Sequence, residues 1–399
     1  MRKTLCILLA LIIIMPSVVK ATETPKVEAT AAILMDAETG RVLWGKNHHE
    51  PLSMASTTKI MTAILAIESG RENETVIVSN RAAAAPKVKM NLSPGEEIRL
   101  GDLMLALMLE SSNDAAVAIA EHLAGTVEEF CAQMTQRAKD LGAMNTIFET
   151  PNGLDSGNHH STAYDLAMIT RFALIVPGFI ELTNTANASF SSNKRSYSIN
   201  NRNRLLSEYE GANGVKTGFT GKAGHCFVGA AKRDDMQLIS VVLASGWGEK
   251  GKTQKWTDTK AVLNYGFGNY NYDEVITADT QAGEMPVTRS RCESVNFIYT
   301  DNIKIPLTPA EKEDISVEIF IPESIQAPVE AGQLVGSARV YIGGEIYCEV
   351  ELKSTEAATR HDFKTSMEKV INGFIRQLTC EETEIVLPKF GHDMGLLTS

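Results

Sequence analysis

The chain has 399 residues, of which 44% are hydrophobic and 22% charged, and its formal net charge is -11. This length and composition predict a globular protein with a large core and more than one domain. The negative charge argues against non-specific binding to nucleic acid, because such proteins carry an excess of lysine and arginine.

The first 21 residues predict a signal peptide. Arg2 and Lys3 precede an apolar run from Leu5 to Met15, and Val19-Lys20-Ala21 provides a small-residue cleavage site. The run is short for a bilayer span, and an uncleaved anchor is the alternative. In either case the rest of the chain is expected to be exported.

The elements predicted next suggest one sheet that is divided by helices. Strand patterns at 31–36 and 41–44, joined by Ala37-Glu38-Thr39-Gly40, predict a β-hairpin. The patterns that follow are a helix over 56–67, an irregular stretch over 75–100, helices over 101–110, 114–124, 126–141 and near 162–175, strands over 227–231 and 237–243, and a helix over 257–265. This order predicts a sheet whose two halves are separated by an inserted helical region.

The C-terminal part has a different pattern. Short strands and turn residues predict a small all-β domain over 275–353, with strands at 294–299, 315–319, 335–341 and 346–352. The segment 361–379 has helical periodicity, and its apolar residues fall in an arc of about 140°. Two alternatives stay open for this helix, packing on the β domain and lying in a membrane interface as an anchor. The tail 380–399 has no interpretation from the sequence.

Lys59 lies three positions after Ser56, at the start of a helical pattern that is apolar nearly all round and therefore predicts burial. Burial and the positive end of the helix dipole both lower the pKa of a lysine at this position, which favours the neutral amine. The Ser56 hydroxyl is one helical turn away, and a neutral amine beside a serine makes an activated nucleophile. Two other Ser-x-x-Lys matches open no buried apolar helix: Ser191 to Lys194 and Ser366 to Lys369.

Two further short motifs are candidates for the same site. Ser111-Ser112-Asn113 lies between two helical patterns, and Lys216-Thr217-Gly218 opens a strand pattern. Ser-x-Asn recurs in the chain, whereas Lys-Thr-Gly occurs once and is the more informative motif. Each has a simple structural alternative: Asn113 or Asp114 caps the second helix, and Lys-Thr-Gly is an edge lysine beside a bulge glycine.

In the order Ser-x-x-Lys, Ser-x-Asn, Lys-Thr-Gly, the three motifs resemble those of the penicillin-binding proteins and serine β-lactamases. Within that group the chain resembles the low-molecular-mass penicillin-binding proteins that are D-alanyl-D-alanine carboxypeptidases. The stretches that carry the likeness are Ala32–Asp36, Ala55–Lys59, Asn113–Ala115, Pro151–Asp155, Asn201–Asn203 and Gly214–Gly218. The likeness is strong over 28–270 and looser beyond. It implies an α+β catalytic domain, an antiparallel sheet flanked by helices with an inserted helical region, followed by the small all-β domain.

The resemblance implies an acyl-enzyme mechanism. Ser56 attacks the carbonyl between two D-alanines, Lys59 takes its proton, and Ser111 relays a proton to the leaving amine. The backbone N–H groups of Ser56 and Phe219 form the oxyanion hole. Lys216 repels a proton from Lys59 and so reinforces the neutral form of its amine. Water then releases the acyl group, whereas a β-lactam is attacked in the same way and leaves slowly.

The same resemblance implies the substrate contacts. Asn113 holds the peptide, while Lys216 and Thr217 bind the terminal carboxylate. Gly218 allows another backbone or the ligand to approach closely. Phe219 departs from the polar ring that relatives often carry at this position, and the substrate preference that follows is left open.

The resemblance implies no metal and no organic cofactor. The expected partners are a peptidoglycan stem peptide ending in D-Ala-D-Ala and β-lactams as inhibitors, at the outer face of the cytoplasmic membrane or in the cell-wall space. The five cysteines beyond the signal are scattered and lack a C-x-x-C spacing, so they predict neither a zinc site nor a disulfide framework. Pairing of Cys292 with Cys348 stays open.

Two other functions are alternatives. One is a serine β-lactamase, although class A enzymes carry Glu-x-x-Leu-Asn between the second and third motifs. The nearest run here, Glu181-Leu182-Thr183-Asn184, does not fit that pattern. The other is a wall-binding protein with a degenerate site, which the presence of Ser56, Lys59 and Lys216 argues against.

Overall fold

The computed structural model describes residues 23–361 and 363–380, which form two compact units. The first unit contains the chain up to Asp273 together with Ile305–Pro309, and the second contains Glu274–Lys304 and the chain from Ala310 onward. The predicted signal peptide, 1–21, and the tail after Cys380 lie outside the described residues.

The first unit combines one large sheet with a helical region. Its strands are β1 (Ala31–Asp36), β2 (Val42–Lys46), β3 (Thr75–Ile77), β4 (Glu97–Arg99), β5 (Asn187–Ser191), β6 (Ser196–Asn200), β7 (Ala212–Thr220), β8 (Gly224–Arg233) and β9 (Met236–Leu243). Its helices are α1 (Lys59–Glu68), α2 (Asn80–Ala83), α3 (Leu100–Leu105), α4 (Asn113–Ala124), α5 (Val127–Asp140), α6 (Ala163–Ile175), α7 (Phe179–Asn184), α8 (Leu205–Glu208) and α9 (Gly248–Asn269). A 3₁₀ turn, Ala55–Thr58, precedes α1, and a π-helical turn, Ala106–Glu110, follows α3.

The large sheet is antiparallel and has five strands in the order β2-β1-β9-β8-β7. Successive residues of a strand point to opposite faces, so each face contributes to a different core. In β1, Ile33 and Met35 belong to the core shared with the helical region, whereas Ala32 and Leu34 belong to the core shared with α9. Both faces of the sheet are therefore covered. β7 is the last strand in the order, so it pairs with a strand of this sheet on one side only.

The helical region lies in sequence between β2 and β7, and it includes the two-stranded antiparallel sheet β3–β4 and the hairpin β5–β6. The prediction of a sheet whose halves are separated by an inserted helical region is therefore confirmed. The irregular stretch predicted over 75–100 is wrong in part, because it contains β3, α2 and β4. Elements of three or four residues are too short to give a readable periodicity.

The second unit is an all-β domain, as predicted. The elements of the C-terminal part of the chain are β10 (Asn271–Ile276), β11 (Gln281–Thr288), β12 (Ser294–Tyr299), β13 (Ile303–Leu307), β14 (Ile315–Phe320), β15 (Ile325–Gln326), β16 (Leu334–Ile342), β17 (Glu345–Ser354), α10 (Pro309–Glu313) and α11 (Phe363–Cys380). Six of the strands form a sheet in the order β14-β16-β17-β12-β11-β15. Its core contains Met285, Phe297 and Leu352.

Two predicted elements differ from the structure in their limits. The helix expected over 257–265 is α9, which begins at Gly248. Its first turns, Gly248–Lys252, are polar and rich in glycine, so they lack the apolar spacing that predicts a helix. The helix expected over 101–110 is α3 followed by the π-helical turn.

Candidate active site

The predicted nucleophile lies where the 3₁₀ turn joins α1. Ser56 is in the turn and Lys59 is the first residue of α1, with its side chain fully buried. The Lys59 amine lies 3.0 Å from the Ser56 hydroxyl, within reach of a proton transfer. The spacing of three residues therefore brings together the two groups that the sequence predicted to act together.

Two fixed acceptors surround the Lys59 amine besides Ser56. It donates to Asn113 Oδ1 at 2.8 Å and to the Asn152 carbonyl at 2.5 Å. A neutral amine has two N–H groups and one lone pair, and these two oxygens can only accept. The lone pair is then left for the Ser56 hydroxyl, whose contact with the amine is shorter than its 3.3 Å contact with the Asn152 carbonyl.

Burial lowers the pKa of Lys59 well below its usual value, and the charge of Lys216 lowers it further. The carboxylate of Asp114 acts in the opposite direction and raises it. This effect of Lys216 has the direction that the resemblance implied. Burial is the largest of these effects, so the amine is poised to accept a proton.

Asn113 of the Ser-x-Asn motif holds the Lys59 amine, and the adjacent Asp114 holds the loop at Met90–Leu92. Asn113 donates from Nδ2 to the Pro86 carbonyl at 3.1 Å, which orients its Oδ1 toward Lys59. Asp114 accepts from the backbone N–H groups of Met90 and Leu92, each at 3.0 Å. The capping alternative for these two residues is wrong, because Ser112 is at the N-cap position of α4 and Asn113 and Asp114 lie inside its first turn. Asp114 Oδ1 also accepts from the adjacent N–H of Ala115 at 3.0 Å.

Ser111 ends the π-helical turn in a left-handed conformation, with φ of 67°. Its side chain lines a cleft of about 340 Å³ together with Ser56 and Phe219. A non-glycine residue in this conformation is uncommon and is often found at functional sites. The geometry therefore presents the Ser111 hydroxyl to the same space as the nucleophile.

The Lys-Thr-Gly motif lies within the edge strand β7 rather than at its start, so the prediction that it opens a strand is wrong. The strand begins at Ala212 because its register with β8 continues across a bulge. Thr217 and Gly218 line the cleft. Gly218 also packs against the 3₁₀ turn Ala55–Thr58, which carries Ser56 and is called the nucleophile turn below. A Cβ at Gly218 would lie 3.1 Å from Ser56 N, so the absence of a side chain permits this close approach.

Cationic side chains surround the buried Lys216, which lies beside the cleft. Lys216 is only 2% exposed, and burial, followed by the charges of Lys255 and Arg202, lowers its pKa to about 7. Burial also lowers the pKa of Lys255 to about 8. Arg202 and Lys255 line the cleft and were not predicted as site residues. This concentration of positive charge suits an anionic group of a ligand.

A signal for Arg202 was present in the sequence, whereas Lys255 gave none. The Asn201 and Asn203 side chains accept hydrogen bonds from backbone N–H groups two residues on, and this turn presents Arg202. Lys255 reaches the cleft from α9, nearly forty residues after Lys216 in the chain. The sequence also gave no signal that Asn152 binds the Lys59 amine, because Asn152 contributes its backbone carbonyl.

A sequence model described as D-alanyl-D-alanine carboxypeptidase matches residues 18–246. The chain belongs to the D-alanyl-D-alanine carboxypeptidase family. A second model, described as the C-terminal domain of penicillin-binding protein 5, matches residues 270–360. The resemblance inferred from the three motifs is therefore confirmed, and it extends over both units.

Relatives in this family cover most of the chain. D-alanyl-D-alanine carboxypeptidase DacF of Bacillus subtilis is 30% identical over 88% of this chain and 90% of its own length. DacC of Escherichia coli is 32% identical over 82% of this chain and 83% of its own. Among solved structures, penicillin-binding protein 5 of Haemophilus influenzae is 27% identical, covers 85% of this chain and 100% of its own, and has a TM-score of 0.72.

Phe219 lines the cleft next to the Lys-Thr-Gly motif. It pairs with His225 across β7 and β8, and the two rings stack with their centroids 4.4 Å apart. Phe219 remains 50% exposed, so its ring forms a wall of the cleft while its backbone N–H stays on the strand. Burial lowers the pKa of His225, which keeps this ring neutral.

The described part of the chain shows whether its cysteines are paired and whether its side chains form a metal-ligand cluster. Cys292 and Cys348 are both free thiols, so the pairing left open by the sequence does not occur. Among residues 23–361 and 363–380, no group of three or more His, Cys, Asp and Glu side chains is arranged to hold a metal ion.

Proposed function

We propose that this protein is a serine-type D-Ala-D-Ala carboxypeptidase that removes the terminal D-alanine from peptidoglycan stem peptides. The observation that carries the proposal is the buried Lys59 amine, whose lone pair is directed at Ser56 by two fixed acceptors. A desolvated base at hydrogen-bond distance from a hydroxyl is what nucleophilic catalysis by serine requires. No other pair in the described residues joins a serine and a buried lysine in this way.

In acylation, Ser56 Oγ forms a bond to the carbonyl carbon of the penultimate D-alanine as Lys59 takes its proton. The C–N bond to the terminal D-alanine then breaks, and the proton passes through Ser111 to the leaving amine. The backbone N–H groups of Ser56 and Phe219 stabilise the oxyanion, and Asn113 holds the peptide. In deacylation, water attacks the ester and Ser56 regains its proton.

The terminal carboxylate of the substrate is expected at the cationic end of the cleft. Lys216 supplies charge and Thr217 a hydroxyl donor, and Arg202 and Lys255 add to the positive potential there. Binding an anion favours the protonated form of Lys216, which offsets the effect of burial on its pKa. The absence of a side chain at Gly218 lets β7 pack directly against the turn that carries Ser56.

The test combines D-alanine release with mass spectrometry. Wild-type protein should release D-alanine from a pentapeptide and gain the mass of benzylpenicillin on the peptide that contains Ser56. Ser56→Ala should do neither, whereas Ser191→Ala, which alters another Ser-x-x-Lys match, should do both. Persistent D-alanine release by Ser56→Ala would show that another residue is the nucleophile.

The lifetime of the penicillin adduct separates this function from a β-lactamase. A carboxypeptidase should hold the acyl group for many minutes, because nothing in the proposal activates water against a β-lactam ester. Glu181, in the run closest to the class A motif, is exposed on α7 and does not line the cleft. Rapid multiple turnover of benzylpenicillin would instead identify a β-lactamase.

We also propose that the protein is exported and that α11 lies on the outer surface of the cytoplasmic membrane. The charged and apolar pattern of residues 1–21 supports export. Met367, Val370 and Phe374 of α11 are exposed, which favours a membrane interface over packing on the β domain. None of the helices in the described part of the chain is long and apolar enough to span a membrane.

Truncation tests the membrane proposal. Deleting 362–399 should move the processed protein from the membrane to the soluble fraction with its acylation by penicillin unchanged. A deletion from residue 356 is less suitable, because it removes the buried Ala358, which pairs with Val329 in the second unit. If the processed full-length protein is already soluble, the membrane proposal is wrong.

A further inference from the structure

A second pocket adjoins the active-site cleft and has no role in the steps above. It has a volume of about 490 Å³ and is lined in part by Lys222 and Trp247. Phe219, three residues before Lys222, lines the cleft, and so does Gly248, the neighbour of Trp247. The two spaces are therefore lined by neighbouring residues at the end of β7 and at the start of α9.

The proposed function sets the direction in which a substrate runs along β7. The terminal carboxylate lies at Lys216 and Thr217, and the scissile carbonyl lies farther along the strand at the N–H of Phe219. The peptide is then antiparallel to β7, which is an edge strand with one side free. Its N-terminal part must leave the cleft past Thr220 and toward Lys222.

The distances match the length of a stem peptide. β7 ends at Thr220 and Lys222 lies in the turn that follows, so three residues place Lys222 no more than about 10 Å from Phe219. The second residue before the penultimate D-alanine is a γ-linked D-glutamate, whose extra methylenes lengthen the chain. Its free α-carboxylate therefore falls about 7–10 Å from the scissile carbonyl, at the level of the second pocket.

The charges along this path alternate in the same order as those of the peptide. Asp155 is exposed and accepts a hydrogen bond from the Thr220 hydroxyl at 3.0 Å. The Lys222 side chain is exposed, and within residues 23–361 and 363–380 no carboxylate forms an ion pair with it. From Lys216 onward the protein thus presents a cation, an anion and a cation. A stem peptide presents a carboxylate, the ammonium of its diamino acid and the carboxylate of D-glutamate.

We propose that the second pocket is a subsite for the distal stem peptide, in which Lys222 binds the α-carboxylate of γ-D-glutamate. Asp155, which lies outside the pocket at Thr220, binds the ammonium of the diamino acid. Trp247 supports this subsite from the side. Its indole N–H donates to the Gly221 carbonyl at 3.1 Å and holds the turn that carries Lys222. The proposal rests on the proposed function, since it needs the peptide to lie along β7.

The experiment measures kcat/KM for D-alanine release from three peptides. L-Ala-γ-D-Glu-L-Lys-D-Ala-D-Ala carries both charges, its γ-D-isoglutamine analogue lacks the distal carboxylate, and diacetyl-L-Lys-D-Ala-D-Ala lacks both. The wild type should prefer the glutamate peptide to the isoglutamine peptide by about threefold to fivefold, as expected for a partly exposed ion pair. Lys222→Met should abolish this preference, and Lys222→Arg should retain it.

Matched controls separate recognition from damage to the fold. Lys232→Met removes another exposed lysine of the same sheet and should keep the preference. Asp155→Asn can still accept from Thr220 and should slow the two peptides with a free lysine amine by a similar factor. Activity on the diacetyl tripeptide should be unchanged in every variant, including both Lys222 variants.

The outcomes distinguish a failure of the subsite from a failure of the carboxypeptidase function. If the wild type cleaves the glutamate and isoglutamine peptides equally, or if Lys222→Met keeps the preference, the subsite is wrong and the carboxypeptidase function stands. If the wild type releases D-alanine from none of the peptides, the proposed function itself is wrong. A similar loss on all three peptides in Lys222→Met would assign this residue a structural role only.

Discussion

The protonation state of the Lys59 amine governs the reactivity of Ser56, and its surroundings favour the neutral form. The side chain is fully buried, and the nearest carboxylate to influence it, Asp114, uses its oxygens on backbone N–H groups. An ammonium at this position would remain desolvated without a dedicated counter-ion. The amine can therefore take a proton from Ser56 during acylation and return it afterwards.

Replacing the base should slow acylation without removing the nucleophile. We expect Lys59→Met to lower the second-order rate of acylation by benzylpenicillin by about 10²–10⁴-fold, the usual contribution of a general base. Stopped-flow or quench measurements with a fluorescent penicillin would give this rate. Lys194→Met, in another Ser-x-x-Lys match, is the control and should leave it unchanged.

The charge of Lys216 should be visible in the pH profile of acylation. Its repulsion lowers the pKa of Lys59, so Lys216→Met should raise that pKa and reduce the fraction of neutral amine at a given low pH. The acid limb of the acylation rate should therefore move to higher pH. Lys216 is protonated below its own pKa of about 7, so the repulsion acts on the acid side.

Lys216→Arg is the control for this shift, because it keeps the positive charge. Its acid limb should stay near that of the wild type even if binding of the substrate carboxylate is weakened. An unchanged acid limb in Lys216→Met would mean that the charge of Lys216 does not contribute to the pKa of Lys59.

At the scale of elements, two segments converge on the nucleophile turn, Ala55–Thr58. The turn itself carries Ser56, β7 passes it at Gly218, and the loop at Asn152–Gly153 covers its other side. His159 links the turn to the same loop, since its Nε2 contacts Thr58 Oγ1 at 2.8 Å. Burial lowers the pKa of His159 to about 4, so this link is neutral near pH 7.

The contact at Gly153 should tolerate no side chain. Gly153 has φ of +84°, and a Cβ there would lie 1.9 Å from the Ala55 carbonyl oxygen. Gly153→Ala should displace the nucleophile turn, reduce acylation by more than tenfold and lower the free energy of unfolding by about 2–4 kcal/mol. Thermal unfolding and penicillin labelling would measure these two effects.

Gly221→Ala is the matched control, because a Cβ at that position meets nothing within 4 Å. It should change neither the unfolding temperature nor the labelling. Equal behaviour of the two alanine variants would contradict the packing argument for Gly153.

The sequence revealed those parts of the site whose chemistry resides in side chains at fixed spacing. Ser56 and Lys59 lie one turn apart, the Lys59 amine donates to Asn113, and the charge of Lys216 lowers the pKa of that amine. Backbone acceptors such as the Asn152 carbonyl carry no residue signature. Lys255 was hidden for a different reason, because the first turns of α9 have no apolar periodicity.

The elements of the fold could be predicted where the local sequence has a clear apolar pattern and not elsewhere. Strands β8 and β9 are buried on both faces and read as continuous apolar runs, so they were recognised. The hairpin β5–β6 was missed, since its residues are mainly polar and alternate only weakly in burial. Its stability comes from contacts distant in sequence, such as Tyr197 with the buried Glu96, that no local pattern contains.

At the scale of the whole molecule, each unit has its own hydrophobic core. The cores of the first unit include Leu263 in α9, and those of the second include Leu352 in β17, both with fully buried side chains. A unit with its own core can unfold by itself. The two family matches divide the chain in the same way, at 18–246 and 270–360.

Calorimetry should therefore resolve two unfolding transitions. Benzylpenicillin bonds only to the folded first unit, so it should raise one transition temperature and leave the other unchanged. Leu352→Ala should lower the unresponsive transition, at a cost of about 2–5 kcal/mol, and leave acylation intact. Leu263→Ala is its counterpart and should lower the penicillin-responsive transition. A single transition that shifts as a whole with penicillin would show that the two cores unfold as one cooperative unit, and penicillin binding would then stabilise the C-terminal β domain as well.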